Sequence, residues 1–197
     1  MKIGVLALQG AFAEHMKILA NLNIDPIPIR LPSDLDKIKA LIIPGGESTT
    51  MSRLLSDYRL MEPIKKLIKG GLPVLGTCAG MILLAKKVAE AEVEPIGVMD
   101  IEIKRNAYGR QVDSFESDLL MPFLGDRAFR GIFIRAPIVQ KVETGVEVLC
   151  RINDRAVAVR QESMLACAFH PELSDDLRFH KYFLSFISGD AIAEGNC

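Results

Sequence analysis

The chain has 197 residues, of which 49% are hydrophobic and 25% are charged. Its 24 basic and 25 acidic side chains leave a net charge of -1, which argues against a dominant role in binding nucleic acid or an anionic membrane. A chain of this length is expected to form a single domain, residues 1–197, that buries about 70% of the surface its unfolded form exposes. No apolar run approaches the length of a membrane span, and the chain begins with a strand-like segment rather than a signal peptide. The expected location is therefore the cytoplasm.

The cysteines and histidines are scattered along the whole chain. They are Cys78, Cys150, Cys167, Cys197, His15, His170 and His180. Because no Cys-x-x-Cys pair occurs, the cysteines fit reduced thiols of a cytosolic protein better than a disulfide framework. Neither residue type has the spacing of metal ligands, so the sequence predicts neither a metal site nor a cofactor.

The first half of the chain alternates between strand-like and helix-like segments. The predicted strands span 2–8, 26–30, 40–43 and 73–76. The predicted helices span 11–22, 48–69 with a break near Pro63, and 79–87, and a capped helical turn covers 33–36. Two prolines in 26–30 favour the edge of a sheet for that strand. This alternation of continuously apolar strands with helices predicts an α/β fold, in which helices cover both faces of a mostly parallel sheet.

The second half is richer in strands. The predicted strands span 97–104, 111–116, 131–136 and 164–169, and a hairpin around Asn153 and Asp154 joins 146–152 to 156–160. The last predicted helix spans about 175–188, with Ser174 as its N-cap. No linker, repeat or low-complexity segment interrupts the chain, in agreement with the expected single domain.

The segment around Cys78 has the pattern of a nucleophile elbow. Gly76-Thr77-Cys78-Ala79-Gly80 follows a short apolar strand and precedes a helix-like run. A tight strand-to-helix turn explains both glycines, because a side chain at either position would crowd it. A cysteine there lies at a helix N-terminus, where the dipole and free N–H groups favour the thiolate and can hold an oxyanion. The elbow alone leaves a buried core cysteine as an equal alternative.

The segment Phe169-His170-Pro171-Glu172 contains the partners that such a nucleophile needs. It ends an apolar strand, and Pro171 favours extended backbone at His170. In an extended chain His170 and Glu172 point the same way, so the carboxylate can fix the imidazole tautomer and stabilise the imidazolium. The pattern predicts a triad of nucleophile Cys78, base His170 and orienting residue Glu172. A surface His–Glu pair at a strand end is the alternative.

A glycine-rich segment, Gly45-Gly46-Glu47-Ser48, follows the third predicted strand and opens a helix. A phosphate-binding loop is one interpretation, but the Gly-Lys-Ser/Thr ending of a P-loop is missing and Glu47 would repel phosphate. The better interpretation places these N–H groups beside the sulfur of Cys78, because active sites of such sheets gather at the carboxyl ends of strands. A purely structural turn is the alternative.

Arginines beside polar loops are candidates for binding a substrate carboxylate. Arg105 and Arg110 flank the loop 106–109, and Arg135 follows the apolar segment 132–134. A guanidinium can bind a carboxylate through two parallel hydrogen bonds. For each of these arginines a solvated surface charge is the alternative.

Together these motifs resemble the class I, or triad, glutamine amidotransferases. The motifs typical of that class are Gly-x-Cys-x-Gly around Cys78 and His-Pro-Glu at 170–172. Other segments resemble one family within the class, the glutaminase subunits of pyridoxal 5′-phosphate synthase; they are 8–10, 44–50, 105–111 and 169–173. The resemblance covers nearly the whole chain.

The resemblance implies a three-layer α/β fold and the hydrolysis of L-glutamine to L-glutamate and ammonia. Backbone N–H groups of Gly46 and Ala79 would form the oxyanion hole. The implied glutamine pocket is lined by Gly46, Glu47, Ser48, Arg105, Ile134 and Arg135. Within that pocket Glu47 would contact the α-ammonium group and Arg105 the α-carboxylate. Gln9 is assigned to the oxyanion loop or to a partner interface.

The implied partner is a (β/α)8-barrel synthase subunit, which forms a ring-shaped hetero-oligomer and takes up the ammonia. Members of the family are typically poorly active until this partner docks. Three alternatives remain open on the sequence. They are a glutaminase for another acceptor, such as imidazole glycerol phosphate synthase, a cysteine peptidase or stress protein with the same elbow, and a catalytically silent interaction module.

Overall fold

The computed structural model describes residues 1–89, 92–105 and 114–188. Its strands are β1 (Lys2–Leu6), β2 (Asp25–Ile29), β3 (Ala40–Ile43), β4 (Val74–Thr77), β5 (Ala85–Val88), β6 (Met99–Lys104), β7 (Ser114–Leu119), β8 (Phe129–Ile134), β9 (Ile138–Val142), β10 (Glu147–Ile152), β11 (Arg155–Gln161) and β12 (Met164–Cys167). Its helices are α1 (Phe12–Asn21), α2 (Ser48–Asp57), α3 (Met61–Lys69), α4 (Ala79–Leu84) and α5 (Arg178–Ser188). Short 3₁₀ turns occupy Pro32–Lys37, Pro122–Leu124 and Pro171–Leu173. None of the helices in these ranges is long and apolar enough to cross a membrane.

A seven-stranded sheet forms the centre of the fold, in the order β10-β11-β12-β4-β3-β1-β2. The strands from β12 to β2 run parallel, and β10 and β11 extend the sheet in antiparallel fashion. Every residue of β3, β4 and β12 is buried, as expected for a sheet covered by helices. The prediction of an α/β fold with a mostly parallel central sheet is confirmed. The proline-containing strand β2 lies at one edge, also as predicted.

The register of the parallel strands brings the candidate site residues to one edge of the sheet. Thr77 at the end of β4 pairs with Cys167 at the end of β12. The segments that carry Cys78 and His170 therefore leave the sheet side by side. β3 pairs with the other side of β4, so the segment containing Gly46 starts next to them.

The segment after the elbow differs from the prediction of one helix over 79–87. α4 ends at Leu84, and the chain continues as β5, which pairs with β6. β6 in turn pairs with β9, a strand that the sequence did not predict. An ion pair between Lys86 and Asp100 also joins β5 to β6. Pairing with a distant segment outweighs the local helical pattern here, because propensity is only a weak preference.

Two antiparallel hairpins complete the sheet structure. β10 and β11 are joined by Asn153 and Asp154, whose φ angles of 46° and 63° confirm the predicted tight turn. β7 pairs with β8, and the end of β8 carries Ile134 and Arg135 towards the candidate site. The predicted strand 111–116 overlaps β7 from Ser114 onwards, and its residues 111–113 lie outside the described residues.

The predicted break near Pro63 is present but falls a few residues earlier, and the predicted start of the last helix was wrong. The break between α2 and α3 lies before Pro63, which sits in the first turn of α3, where a proline costs no intrahelical hydrogen bond. α5 begins at Arg178, and Ser174 is not its N-cap. Instead, the Ser174 hydroxyl accepts from the N–H of Asp176, whose carboxylate accepts from the N–H of Arg178. This extended polar turn delays the start of the helix.

The elbow helix packs directly on the backbone of β3 at Gly80. A Cβ at this position would lie 2.0 Å from the carbonyl oxygen of Ile43, a backbone atom that cannot rotate away. A Cβ at Gly76 would lie 2.8 Å from the backbone of Gly80. Both elbow glycines are therefore required by close backbone approach.

Gly80→Ala should destabilise the fold by roughly 3 kcal/mol or more, because α4 would have to move away from β3. Guanidinium unfolding of the variant and the parent chain measures this loss. Gly71→Ala is the matched control, since it also adds one methyl group but has no atom within 4 Å of the added carbon. Its φ of 92° limits the expected cost to about 1–2 kcal/mol of backbone strain. Equal losses in the two variants would contradict the close packing at Gly80.

Candidate active site

Cys78 lies at the turn between β4 and α4, in a strained backbone conformation. Its φ of 48° and ψ of -103° are unusual for a residue with a side chain. The N–H of Cys78 donates to the carbonyl of Cys167 over 2.8 Å, which ties the turn to β12. The thiol is 3.7 Å from the carbonyl oxygen of Ile134, at the end of β8. The turn thus has the geometry of the predicted nucleophile elbow.

His170 and Glu172 form a buried pair beside this elbow. Nδ1 of His170 is 2.7 Å from Oε1 of Glu172, and both residues are buried. The sequence predicted an extended chain for the pair, but Pro171 starts a 3₁₀ turn that runs to Leu173. The turn still brings the carboxylate to the imidazole, because the fixed φ of a proline suits the first residue of a helical turn. The backbone N–H of His170 donates to the carbonyl of Ile132 over 2.8 Å, which ties this segment to β8.

The imidazole of His170 and the thiol of Cys78 meet over Gly45. A Cβ at Gly45 would lie 2.4 Å from Cε1 of His170 and 3.3 Å from Cβ of Cys78. Burial disfavours the charged imidazolium of His170, but hydrogen bonds to Cys78 and Glu172, and the charges of both, raise the pKa of His170 to about 10. The arrangement therefore favours an imidazolium at His170 beside Cys78 at neutral pH.

These residues open onto a cleft of about 320 Å³, which is large enough for a small polar ligand. The cleft is lined by Gln9, Gly10, Ala11, Gly45, Gly46, Glu47, Ser48, Cys78, Ala79, Ile82, Arg105, Ile134, Arg135, His170 and Leu173. All the predicted pocket and oxyanion residues are in this lining. Among the described residues, Glu172 is the one predicted site residue outside this lining, and it lies behind His170. Arg135 has a φ of 43°, so two strained residues that are not glycine, Cys78 and Arg135, border the same cleft.

The glycine-rich segment is held in place by hydrogen bonds from the first loop of the chain. The carbonyl of Gly45 accepts from the N–H of Ala11 over 3.0 Å. Oε1 of Gln9 accepts from the N–H of Glu47 over 2.8 Å, so Gln9 contacts the predicted oxyanion loop. Gly10, with a φ of 98°, allows this contact, because a Cβ there would lie 1.9 Å from the carbonyl oxygen of Gly45.

Glu47 and Arg105 contact each other at one wall of the cleft. Oε1 of Glu47 is 3.1 Å from Nη2 of Arg105, whose Nη1 is 3.1 Å from the hydroxyl of Thr49. Glu47 is also the N-cap of α2 and accepts from the N–H groups of Thr49 and Thr50. Burial alone would raise the pKa of Glu47, but hydrogen bonds from Thr50 and Thr49 lower it to about 2. Opposite charges thus lie side by side in the cleft, and the rest of the loop, 106–111, lies outside the described residues.

Sequence reasoning missed two buried histidines next to this site, His15 and His180. Both are fully buried, and His15 is 3.4 Å from the second oxygen of Glu172. The one signal available was that His15 lies on the buried face of α1, three and four residues before Ile18 and Leu19. A histidine at such a position needs a polar partner, but the sequence does not say which one.

Comparison with known proteins gives consistent results. Residues 5–188 match the model of the SNO glutamine amidotransferase family. The chain is 55% identical over 184 residues to pyridoxal 5′-phosphate synthase subunit PdxT of Carboxydothermus hydrogenoformans, a match that covers 93% of this chain and 96% of the relative. It is 56% identical over 184 residues to the protein of the same name from Pelotomaculum thermopropionicum, with 93% and 94% covered.

A solved structure described as glutamine amidotransferase superposes on this fold with a TM-score of 0.89, at 46% identity, and the match covers 94% of this chain and 98% of that one. The structure of PurLQS from Thermotoga maritima superposes with a TM-score of 0.66 at 19% identity, over 95% and 97% of the two chains, and supports the fold alone. Family match, identity and fold agree with the geometry of the cleft. The chain belongs to the SNO glutamine amidotransferase family.

Proposed function

We propose that this chain is the glutaminase subunit of a pyridoxal 5′-phosphate synthase. It hydrolyses L-glutamine to L-glutamate and ammonia and passes the ammonia to a synthase partner. The observation that carries the proposal is the contact of the Cys78 elbow with the buried His170–Glu172 pair at the floor of the cleft. The names of the relatives, which are more than half identical over nearly the whole chain, support the pathway.

The reaction begins when the thiolate of Cys78 attacks the side-chain amide carbon of glutamine. The carbonyl oxygen becomes an oxyanion, which the N–H groups of Gly46 and Ala79 stabilise. Ala79 is the first residue of α4, so its N–H has no intrahelical acceptor. Single donors of this kind are typically worth ~100- to 1000-fold in rate.

His170 moves the protons of both half-reactions. As an imidazolium it protonates the amide nitrogen, the C–N bond breaks, and ammonia leaves a thioester on Cys78. The neutral imidazole then takes a proton from water, whose oxygen attacks the thioester carbon. When the C–S bond breaks, glutamate is released and the thiolate–imidazolium pair is restored. Glu172 keeps Nδ1 of His170 protonated and oriented throughout.

The neighbouring charges of Glu47 and Arg105 match the zwitterionic end of glutamine. Glu47 would accept a hydrogen bond from the α-ammonium group and Arg105 would donate to the α-carboxylate. The pocket around the aliphatic part of the substrate and its polar end is completed by Ser48, Ile134 and Arg135. Glu47 and Arg105 are already paired, so each holds the other in position. The α-ammonium and α-carboxylate groups of glutamine would therefore bind to side chains that are already oriented.

Arg105→Gln should raise the KM for glutamine by roughly tenfold or more with a smaller change in kcat, since it removes a charge-assisted hydrogen bond to a part of the substrate that does not react. Steady-state ammonia release measures both constants. Arg53→Gln is the control, because Arg53 is an exposed residue of α2 that pairs with Asp57 outside the cleft. A fall in kcat at unchanged KM would contradict the assignment of Arg105 to the substrate carboxylate.

The proposed partner is a (β/α)8-barrel synthase subunit, with which the chain forms a ring-shaped hetero-oligomer. We place the complex in the cytoplasm, where Cys78, Cys150 and Cys167, which are free thiols, stay reduced. The proposed unit of function is a single glutamine amidotransferase domain, residues 1–197, and one apolar core runs through the described residues.

The test is ammonia release from glutamine, with and without the pyridoxal 5′-phosphate synthase subunit from the same source. We expect strong stimulation by that subunit and formation of pyridoxal 5′-phosphate from glutamine when its sugar phosphates are supplied. Full activity of the isolated chain would support the glutaminase activity but contradict its dependence on a partner. A complete absence of ammonia under both conditions would overturn the proposal.

The alternatives are not favoured. A glutaminase for another acceptor, such as imidazole glycerol phosphate synthase, would not share the PdxT name of relatives at 55% and 56% identity. A cysteine peptidase or stress protein would not need opposite charges placed for an amino-acid zwitterion at the cleft wall. A silent interaction module would have no use for the thiol–imidazole contact.

A further inference from the structure

A buried row of side chains continues behind Glu172. His15 on α1 and His180 on α5 are both fully buried. Nδ1 of His15 is 3.0 Å from Nε2 of His180, and Nε2 of His15 is 3.4 Å from Oε2 of Glu172. Since His170 binds the other oxygen of Glu172, two histidines flank one carboxylate, and His180 lies behind His15.

The hydrogen-bonding groups of this row determine which ring nitrogens carry protons. Oε2 of Glu172 can only accept, and it has no hydrogen bond to any described residue, so a proton on Nε2 of His15 gives it a donor dipole at close range. The same N–H reaches the hydroxyl of Thr77, 3.2 Å away. Nδ1 of His15 must then accept, and Nε2 of His180 donates to it. Each ring in the row therefore points an N–H towards Glu172.

The two histidines behind Glu172, His15 and His180, are neutral. Burial lowers the pKa of His15, and the nearby rings of His180 and His170 lower it further. Burial lowers the pKa of His180 to about 4. A neutral ring supplies a directed dipole without a second positive charge, so it can orient Glu172 without repelling the imidazolium of His170.

We propose that His15 is a positioning residue of the active site, held by His180 and Thr77, which orients Glu172 towards His170 by placing an N–H beside its buried Oε2. Through Glu172 it strengthens the imidazolium of His170 and hence the thiolate of Cys78. For its part in turnover this inference rests on the proposed glutaminase function.

The titratable groups that face Glu172 or its two histidine neighbours come from four parts of the fold. They are His15 from α1, Cys78 from the elbow, Cys167 and His170 from the end of β12, and His180 from α5. Without the N–H of His15, Oε2 of Glu172 would be buried with no donor dipole from the described residues. A buried carboxylate oxygen without a donor nearby is costly, so Glu172 would hold the imidazolium of His170 less tightly.

The test is the rate at which iodoacetamide alkylates Cys78, followed against pH by mass spectrometry of the Cys78 peptide from the isolated chain. Cys78 lines the open cleft, and only its thiolate reacts. His15→Leu should move the acid limb of this profile to higher pH by about one unit, because Glu172 would lose the N–H dipole beside Oε2 and would hold the imidazolium of His170 less tightly. In turnover, the alkaline limb of kcat/KM should move to lower pH, because His170 would lose its proton more easily.

Two variants separate positioning from packing. In His15→Gln the side-chain amide nitrogen can take the place of Nε2 and keep the donor, so both limbs should stay near those of the parent chain. Phe183→Leu removes packing from a fully buried position of α5, the helix that carries His180. It should lower the Tm without moving either limb.

The proposal fails if His15→Leu leaves both limbs in place, or if His15→Gln moves them as far as His15→Leu does. Should His15→Leu not fold, His180→Leu takes its place, because it removes the donor to Nδ1 of His15. It should shift the limbs in the same direction by less, and an unchanged profile would overturn the proposal. The alkylation needs neither glutamine nor a partner, so a chain that releases no ammonia would disprove the glutaminase function and leave this test valid.

Discussion

Replacing Cys78 with alanine should lower ammonia release from glutamine by roughly ten-thousand-fold or more, even with the synthase partner present, because no thioester can form. The fold should survive. The thiol is a small part of the core, and the N–H of residue 78 keeps its hydrogen bond to the carbonyl of Cys167. The free energy of unfolding should therefore change by no more than about 1 kcal/mol. Steady-state ammonia release and a melting curve on the same preparation measure both effects.

Cys150→Ala is the matched control for the loss of a buried thiol. Cys150 lies in β10 and is 7% exposed, against 6% for Cys78, but it does not line the cleft. Its thiol lies 3.9 Å from the carbonyl oxygen of Leu120, and burial raises its pKa above the ordinary value. The variant should keep full activity. Turnover in Cys78→Ala, or its loss in Cys150→Ala, would mean that the nucleophile lies elsewhere.

The parts of the site that could be predicted are those whose geometry depends on neighbouring residues in the chain. Gly76 and Gly80 indicated a close backbone approach at Cys78, and the structure has one at both glycines. The alternation of strands and helices placed the ends of β3, β4 and β12 together, because the carboxyl ends of parallel strands share one edge. Local patterns and a simple rule of topology were enough for this part.

The parts that could not be predicted depend on contacts between distant segments. The pairing of β5 with β6 replaced the second half of the predicted helix 79–87. The contact between Glu47 and Arg105 joins residues 58 positions apart. His15 and His180 are 165 positions apart, yet their rings meet behind Glu172. No periodicity in a single sequence indicates which distant residues will be in contact. A polar residue on the buried face of an element is the only local sign of such a contact.

Backbone strain explains why several contacts are needed to hold the site in its conformation. Cys78 and Arg135, which both line the cleft, are held at positive φ, and strain of this kind persists only where the surroundings enforce it. For Cys78 the enforcing contacts are the hydrogen bond to Cys167 and the packing of Gly80 on β3. The chemistry therefore depends on the rigidity of the central sheet.

His170→Asn should lower kcat by roughly a thousandfold or more, since no other described group at the thiol can exchange protons with ammonia and water. Asparagine is close to histidine in size, and its amide can still donate to Oε1 of Glu172, so the fold should be kept. Ammonia release gives the loss in turnover, and near-normal kinetics would exclude His170 as the base.

The same variant should change how stability depends on pH. The pKa of His170 is raised to about 10 in the folded protein, against ~6.5 for an unfolded histidine, so the folded state binds the proton more tightly. This stabilisation is complete below pH ~6.5, decreases as the pH rises and is lost above about pH 10. Urea unfolding of the parent chain should therefore show a falling free energy of unfolding from pH ~6.5 upwards that His170→Asn lacks.

The comparison is made below about pH 8.5, where the thiols of Cys150 and Cys167 keep their protons in both the folded and the unfolded chain. Burial raises the pKa of Cys150 and of Cys167 in the folded protein, so their contribution to the slope begins in the ordinary thiol range of the unfolded chain, at about pH 8.5. In the window below that range, the difference between parent and variant belongs to His170 and the groups that hold its proton. Parallel slopes would mean that the imidazolium is no more stable in the fold than in water, and the thiolate–imidazolium pair of the mechanism would then have no basis.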